Sequence, residues 1–341
     1  MSGSDAALER IAQAVLYEGY LLWPYRRSAL KNRQRWTFGG VYPQAWSDAR
    51  GGDDAWRIVT ECLLEAADPA AARLRVRVRF LQVVDRRVAC DADGNRRYVD
   101  ELVAGGRRHL AWEEAVERQV ILDDLAPAAL ETPRLVPLDI AAGTAEEPVL
   151  EEGRPVGAVV RSWDGIQGAV TLRAVAVQPG LWRLRIEIAN TTPWSGGSRE
   201  AAQRRALIST HATVQANGGA FVSLTDPPAE LAAAAAACRN IGAWPVLVGE
   251  LGERHTLLSA PIILGDYPRI APESPGDLFD GGEIDQLLIL NILALTDEER
   301  AEMRDSDPRA REILDRCMAL GPEELSRLHG AVRELRVVGA E

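Results

Sequence analysis

The chain has 341 residues, of which 47% are hydrophobic and 26% charged, and its 39 basic and 50 acidic residues give a formal net charge of −11. This length and apolar content are enough to bury a substantial core, and they exclude a collagen-like or grossly disordered chain. The acidic balance disfavours unspecific binding of the whole molecule to nucleic acid or to an anionic membrane.

The first predicted element is an N-terminal helix from Asp5 to about Tyr20. Apolar residues recur in it at the three- and four-residue spacing of one helix face. They are Leu8, Ile11, Ala12, Val15 and Leu16. The next segment, 21–46, mixes aromatic and basic residues and ends in two glycines and a proline. It is therefore predicted to form a loop or short turns around a strand.

The clearest predicted strand is RLRVRVRFLQVV at 73–84, in which basic and apolar residues alternate. Successive side chains point to opposite faces of a strand, so this one has an apolar face for the core and a basic outer face. The DADGN that follows at 91–95 has the alternating acids and the glycine of a calcium loop but lacks its bidentate glutamate. Asp-Gly and Asn favour tight turns, so a hairpin turn is predicted there.

Further alternating runs predict strands along the middle of the chain. They are 119–122, 158–163, 169–177, 181–189, 206–214 and 221–224. The runs at 169–177 and 181–189 are joined by Gln178-Pro179-Gly180, which predicts a hairpin. The segment 132–155 is rich in Pro, Glu, Gly and Ala and is predicted to be a long surface loop.

The last third of the chain is predicted to become helical. An alanine-rich helix at 229–239 and two apolar strands at 244–250 and 256–267 come first. From Gly282 onward, helix starts are marked by a capping-box pair, by an Asp followed by a first-turn proline, and by a Gly-Pro entry. These starts are Thr296 with Glu299, Asp307-Pro308 and Gly321-Pro322.

Many short strands without intervening helices favour an antiparallel arrangement over a doubly wound sheet. The predicted fold is therefore α+β, with an antiparallel, β-rich, sandwich-like body and a small C-terminal helical region. The predicted domains are 1–72 for the N-terminal helix and a basic aromatic segment, 73–265 for the β-rich domain, and 266–341 for an acidic loop and the C-terminal helices.

Motifs of established catalytic chemistry are absent from the sequence. It has neither a phosphate-binding glycine loop nor a G-x-S-x-G elbow, and Ser209-Thr210-His211 falls in a predicted strand. The four cysteines and four histidines are scattered, without the spacing of a zinc site. We expect free thiols, no cofactor and no metal, but a metal site that the fold assembles from distant residues is left open.

The chain carries no sign of export. MSGSDAALER lacks a basic leader followed by an apolar core, and no apolar stretch reaches the length of a bilayer. We therefore expect a cytoplasmic protein without a membrane span. The sequence does not set its oligomeric state.

The first of two candidate binding surfaces is the basic aromatic segment, 20–36, which has five cations and no acidic residue. Its candidate binding residues are Tyr20, Trp23, Tyr25, Arg26, Arg27, Lys31, Arg33, Arg35 and Trp36. Arginines over aromatic faces would anchor this segment to its own sheet, and the same set suits docking on an acidic protein surface. Stacking on bases is the third alternative, which the net charge disfavours, so no nucleic-acid partner is predicted.

The second candidate surface is the acidic segment, 266–285. The region 266–341 has 18 acidic and 9 basic residues, so it carries −9 of the net −11. The candidate binding residues are Asp266, Tyr267, Glu273, Asp277, Asp280, Glu283 and Asp285. Such acids favour the start of a helix, or they pair with cations in the same molecule or in another one. Pairing with the basic aromatic segment would explain both surfaces at once.

Two segments, 16–43 and 257–310, resemble an uncharacterised bacterial family that is associated with gene clusters encoding nickel–iron hydrogenases and their maturation proteins. They begin LYEGYLLWPYRRSALKNRQRW and LLSAPIILGDYPRIAPESPGDLFDGGEIDQ, and they cover about a quarter of the chain. The resemblance brings no active-site residues with it, and the chain lacks the paired cysteine ligands of hydrogenase large subunits. It implies an assembly or accessory role.

The leading hypothesis is a non-catalytic accessory or scaffold protein that binds another protein, such as a hydrogenase subunit or maturation factor. The alternative is an enzyme, either a hydrolase or a carbohydrate-active protein on a β-sandwich fold, with carboxylates such as Asp266, Glu273 or Asp277. This alternative requires two carboxylates that face one cleft about 5 to 10 Å apart.

Overall fold

The computed structural model describes residues 3–20, 25, 35, 38–51, 54–68, 70–92, 95–269 and 285–321. The described residues form mostly antiparallel β-sheets with a few helices and a helical C-terminal region, which confirms the predicted α+β class. The chain divides into two compact units, Met1–Gly19 with Trp36–Arg269 and Tyr20–Arg35 with Ile270–Glu341. None of the described helices is long and apolar enough to cross a membrane.

The first unit contains four α-helices and all of the described strands. Its helices are α1 (Gly3–Tyr17), α2 (Gln44–Asp48), α3 (Arg199–Gln203) and α4 (Ala232–Ala236). Its strands are β1 (Arg57–Glu65), β2 (Arg73–Ala92), β3 (Asn95–Val99), β4 (Glu101–Ala104), β5 (Arg107–Leu110), β6 (Trp112–Leu125), β7 (Arg134–Ile140), β8 (Gly143–Glu151), β9 (Arg154–Trp163), β10 (Ile166–Gln178), β11 (Leu181–Asn190), β12 (Ile208–Asn217), β13 (Ala220–Val222), β14 (Trp244–Leu247) and β15 (Thr256–Ala260).

The strands form two main antiparallel sheets. The first sheet has the order β13-β1-β11-β10-β7, and the second has the order β14-β15-β12-β2-β9-β8. Strands β3 and β6 also pair with β2, so this long strand organises the second sheet, while β4 and β5 form a separate hairpin.

One buried apolar cluster joins the two sheets. Alternate residues of β2 and β11 point into it, as the alternation at 73–84 predicts. From these two strands they are Leu74, Val76, Val78, Phe80, Trp182, Leu184, Ile186 and Ile188. Each such side chain contributes about 1.5 to 3 kcal/mol by leaving water. The odd-numbered residues of this part of β2, including its arginines, therefore face outward.

The predicted hairpins are confirmed. Strands β10 and β11 pair across Gln178-Pro179-Gly180, with Gly180 at a φ of 77°. The DADGN segment joins β2 to β3, because Ala92 pairs with Asn95. The turn between β10 and β11 depends on a residue type that tolerates left-handed backbone.

The predicted surface loop at 132–155 is wrong, because this segment forms β7 and β8. Both are edge strands, β7 of the first sheet and β8 of the second. They contain Pro137 and Pro148, respectively. A proline lacks the amide hydrogen that an interior strand needs, but an edge strand accepts it. The composition that suggested a loop is thus typical of two sheet edges.

The N-terminal helix is confirmed as α1, and all five of its predicted apolar residues are buried. It packs on the outer face of the second sheet, against β12, β15 and β2. The predicted alanine-rich helix is shorter, with a single turn of 3-10 helix before α4. Strand β1, which the sequence did not predict, pairs with β11, so the boundary predicted at residue 72 cuts through the first sheet.

The described part of the second unit contains α5 (Asp285–Leu293), α6 (Asp297–Ser306) and α7 (Pro308–Met318). The capping box of α6 and the proline entry of α7 are both confirmed. The apolar residues buried in these helices are Leu288, Ile289, Ile292, Met303, Ala310, Ile313, Leu314 and Cys317. The helix predicted after Gly321-Pro322 lies outside the described residues.

Candidate functional site

Four arginines on the outer face of β2 line an open cavity of about 700 Å³ in the first unit. We name Arg73, Arg75, Arg77 and Arg79 the arginine row and the space beside them the arginine cavity. Helix α1 contributes Leu8, Glu9 and Ala12 to the lining, and β12 contributes Thr213, Gln215, Ala216 and Asn217. The volume is within the usual range for ligand pockets, about 300 to 1,000 Å³.

The arginine row runs from an exposed end to a buried end. The side chains of Arg75 and Arg73 are 53% and 43% exposed, that of Arg77 is 28% exposed, and that of Arg79 is 3% exposed. Neighbouring members of the row are two residues apart on an extended strand, so they follow one another at about 6.8 Å. A ligand would therefore reach the cations from the end at Arg73 and Arg75.

The buried end of the row is fixed by polar contacts with α1 and β6. Arg79 donates to Glu9 at 3.0 Å, to Gln13 at 2.6 Å and to Glu117 at 3.2 Å. Arg77 donates to the second carboxylate oxygen of Glu9 at 2.6 Å. Charge-assisted hydrogen bonds of this kind are the strong ones, so Arg79 connects the helix to the sheet.

The carboxylate of Glu117 is the acceptor on β6. Burial raises its pKa, but hydrogen bonds from Tyr17 and Gln13 together with the charge of Arg79 outweigh that effect, so the pKa lies below its usual value. The Tyr17 hydroxyl donates to Glu117 at 2.6 Å, and the Gln13 amide donates at 3.1 Å. Glu117 therefore stays ionised at neutral pH and holds α1 together with Arg79.

A β-bulge shapes the exposed end of the row. The register of β6 against β2 shifts at this point, and Asp124 has a φ of 57°. A bulge re-aims side chains, and here two consecutive carboxylates reach the row. Arg73 pairs with Asp124 at 2.8 Å, and Arg75 pairs with Asp123 at 2.9 Å. Both carboxylates are more than half exposed, so these pairs are weak and a ligand can replace them.

A second bulge lies on the other side of β2, in β12. The register shifts between Ile208 and His211, and Ser209 has a φ of 51°. His211 donates from Nδ1 to the carbonyl oxygen of Ser209 at 2.9 Å, while its Nε2 and the Ser209 hydroxyl are buried without a partner. Burial, helped by the nearby arginine charges, lowers the pKa of His211 to about 4.

Ser209 and His211 do not form a catalytic pair in the described structure. The serine hydroxyl makes no hydrogen bond to the imidazole, and neither residue lines the arginine cavity. A serine nucleophile needs a base within hydrogen-bond reach and a path for substrate. This arrangement is instead a buried, neutral histidine beside a strained turn of the strand.

The described residues of the basic aromatic segment, Tyr20, Tyr25 and Arg35, are buried. Within the second unit the Tyr20 hydroxyl donates to Asp307 at 2.8 Å. Arg35 donates to the Tyr20 carbonyl at 3.0 Å, and its guanidinium lies 5.6 Å from the ring centroid. These contacts join the described residues of the segment to the N-cap of α7 and not to a sheet. Its other candidates, Trp23, Arg26, Arg27, Lys31, Arg33 and Trp36, lie outside the described residues.

Two residues of the acidic segment are described with their side chains. Asp266 accepts hydrogen bonds from Ser223, from Thr225 at 3.0 Å and from the Leu247 amide at 2.8 Å. Tyr267 packs against the core. Asp266 thus connects the residues that follow β13 to the end of β14 by hydrogen bonds. It does not line the arginine cavity. Glu273, Asp277, Asp280 and Glu283, and the side chain of Asp285 at the start of α5, lie outside what the structure describes.

No protein-family model matches the chain, and no curated protein matches it. The site must therefore be interpreted from its own geometry.

A second, smaller cavity of about 410 Å³ lies in the first unit beside Trp163. Two carboxylates line it, Asp85 and Asp164. Asp85 pairs with Arg87 at 2.8 Å, and Asp164 pairs with Arg205 at 3.1 Å. Two aspartates and an indole line this cavity, whereas the arginine cavity has neither an indole nor a pair of aspartates in its described lining.

The thiols and the metal-ligating residues form no site in the described part of the chain. All four cysteines are free, and burial raises the pKa of Cys238 and of Cys317 to about 11. A raised pKa leaves the thiol protonated and unreactive. Among the described residues, no group of three or more His, Cys, Asp or Glu side chains is placed to hold a metal ion.

Sequence reasoning recognised the basic outer face of the strand at 73–84 but did not identify it as a site. A row of charges on a strand is usually a solvated face, and nothing local shows that α1 covers one end of it. The available signal was the strict alternation of arginine over four positions, which places every guanidinium on one face.

Proposed function

We propose that this protein is a non-catalytic accessory protein that binds another protein through the arginine cavity. The observation that carries the proposal is the pair of half-exposed guanidinium groups, Arg73 and Arg75, at the open end of a cavity with an apolar wall. A guanidinium forks onto a carboxylate with two hydrogen bonds, so it recognises acidic side chains by shape and by charge. The apolar side chains that α1 contributes to the lining are Leu8 and Ala12.

The chemistry of the lining favours binding over catalysis. Arginine keeps its proton at neutral pH, so the row supplies no general acid or base. The two acids in the described lining, Glu9 and Asp124, are each engaged by members of the row. The cavity therefore offers guanidinium donors in a fixed arrangement, which suit recognition.

Co-purification tests this function. A tagged full chain is compared with an Arg73→Gln/Arg75→Gln variant and with Arg254→Gln. Arg254 is a matched control, because it is 42% exposed and pairs with Glu65 at 2.8 Å on the same unit. We expect the same partner with the wild type and the control, and its loss with the double variant. Equal recovery of that partner by all three proteins would refute the arginine cavity as the binding site.

We further propose that the partner is a hydrogenase subunit or maturation factor and that the protein acts in the cytoplasm. This part rests on the resemblance of segments 16–43 and 257–310 to the hydrogenase-associated family. Deletion of the gene should lower hydrogenase activity, and a hydrogenase component should be among the captured proteins. Unchanged activity together with capture of unrelated proteins would refute the hydrogenase assignment and leave protein binding intact.

The second candidate function is that of a carbohydrate-active protein, and the smaller cavity favours it. Its indole is a surface on which a sugar ring can stack, and two aspartates line the same cavity, the residue type that glycoside hydrolysis uses in pairs. A general acid, however, needs apolar surroundings, whereas arginines accompany both aspartates. Release of nitrophenol from nitrophenyl glycosides by the wild type, lost in Asp85→Asn and Asp164→Asn, would establish this function over the first.

A further inference from the structure

The spacing of the arginine row defines the chemistry of its partner. Resting on the proposed function, we propose that the arginine cavity binds an extended acidic segment in which two carboxylates are separated by one residue. The two exposed guanidinium groups belong to Arg73 and Arg75, which are two positions apart on one strand. This juxtaposition sets the spacing that a ligand must match.

An extended peptide repeats the geometry of the row. Side chains at alternate positions of a strand lie on the same side, about 6.8 Å apart. A segment with acids at positions one and three therefore places one carboxylate at each exposed arginine. In a regular extended segment without a bulge, acids at adjacent positions point to opposite sides, so one of them faces away from the row.

The molecule already contains a bound carboxylate in the same row. Glu9 of α1 bridges the two inner arginines, with 2.6 Å to Arg77 and 3.0 Å to Arg79. This contact occupies the inner half of the row and leaves Arg73 and Arg75 to the exposed aspartates of the bulge. The outer half thus has the same cations but weaker internal partners, which a ligand has to displace.

The lining favours a peptide over a nucleic acid. Single-stranded nucleic acids are bound by aromatic side chains on which the bases stack, and no aromatic residue occurs in the described lining of the arginine cavity. The four acidic neighbours of the row, Glu9, Glu117, Asp123 and Asp124, also oppose a dense phosphate backbone. Separate carboxylates on a peptide can replace these acids one at a time.

Fluorescence anisotropy with two isomeric peptides tests the spacing. The first is a fluorescein-labelled octapeptide of alternating Glu and Ser, and the second repeats Glu-Glu-Ser-Ser twice. Both have four glutamates, but only the first has glutamates two positions apart. One additional exposed ion pair contributes up to about 1 kcal/mol, so we expect the alternating peptide to bind about fivefold more tightly at low salt.

Variants of the full chain locate the binding. Arg73→Gln/Arg75→Gln should abolish the preference for the alternating peptide over its isomer, whereas Arg254→Gln should retain this preference. Asp123→Asn/Asp124→Asn should raise the affinity for the alternating peptide several-fold, because the variant removes the internal carboxylate partners of both arginines. Asparagine tolerates the positive φ at position 124, so this gain-of-affinity variant keeps the bulge. Circular dichroism confirms that each variant is folded.

The outcomes separate this inference from the proposed function. Equal affinity for both peptides, lost in the arginine double variant, would overturn the spacing rule and leave the docking site in place. No binding of either peptide, even to the aspartate double variant, would overturn the inference, while co-purification decides the function independently. Tighter binding of labelled octathymidylate at the same arginines would overturn the peptide as ligand.

Discussion

Replacement of Arg79 by methionine should release α1 from the second sheet. The side chain is 3% exposed and makes hydrogen bonds to Glu9, Gln13 and Glu117, so the variant loses three contacts at once. Breaking a buried ion pair costs about 3 to 5 kcal/mol. The two carboxylates are about 40% exposed and regain water when the arginine is absent, so the lower value, about 3 kcal/mol, applies.

Hydrogen exchange by mass spectrometry measures this effect locally. The amides of α1 should exchange about 150-fold faster in Arg79→Met, because about 1.4 kcal/mol corresponds to a factor of ten. The peptides of the first sheet should keep their exchange rates. Arg254→Met is the control, since an exposed pair contributes at most about 1 kcal/mol. A loss below about 1 kcal/mol in Arg79→Met, or an equal loss in the control, would refute the reasoning.

Three further predictions concern stability. Gly157→Ala should cost about 1 to 3 kcal/mol in urea unfolding, because a Cβ there would press against a backbone carbonyl of β2, whereas Gly196→Ala, with open space around it, should be neutral. Asp266→Ala should lower the free energy of unfolding by about 1 to 3 kcal/mol, because it leaves two hydroxyls and one backbone amide without their acceptor. Asp226→Ala, at an exposed position, should not lower it. The pKa of His211 is near 6.5 in the unfolded chain and about 4 in the folded protein, so its contribution to stability is complete above pH 6.5 and is lost as the pH falls toward 4. Urea titrations over this range should show that the free energy of unfolding falls by about 3 kcal/mol. His211→Gln should flatten this part of the pH profile of stability.

Much of the fold was predictable because it depends on local patterns. The alternation at 73–84 identified the central strand and its two faces, and apolar spacing identified α1. The caps at Thr296 and Asp307 are local hydrogen bonds between near neighbours, and they were identified correctly. Strands β7 and β8 were missed because their prolines are tolerated only at a sheet edge, and edges are set by topology.

The candidate site was not predictable in the same way. The arginine cavity needs α1 to cover Arg79 and a bulge to bring Asp123 and Asp124 to the other end of the row. Both features arise from contacts between residues far apart in the sequence, and bulges leave no clear local signal. Tyr20 and Arg35 were identified as chemically distinctive, but whether they bind a partner or their own fold depends on the position of Asp307.

Site-specific photocrosslinking tests the central claim most directly. A benzoylphenylalanine replaces Asp123, whose carboxylate pairs with Arg75 of the arginine cavity, or Leu251, an exposed residue that does not line the cavity. The account predicts a crosslinked partner from position 123 and none from position 251, with the product lost when Arg73 and Arg75 are both changed to Gln. A partner crosslinked from position 251 alone, or a product at position 123 that survives the arginine changes, would contradict it.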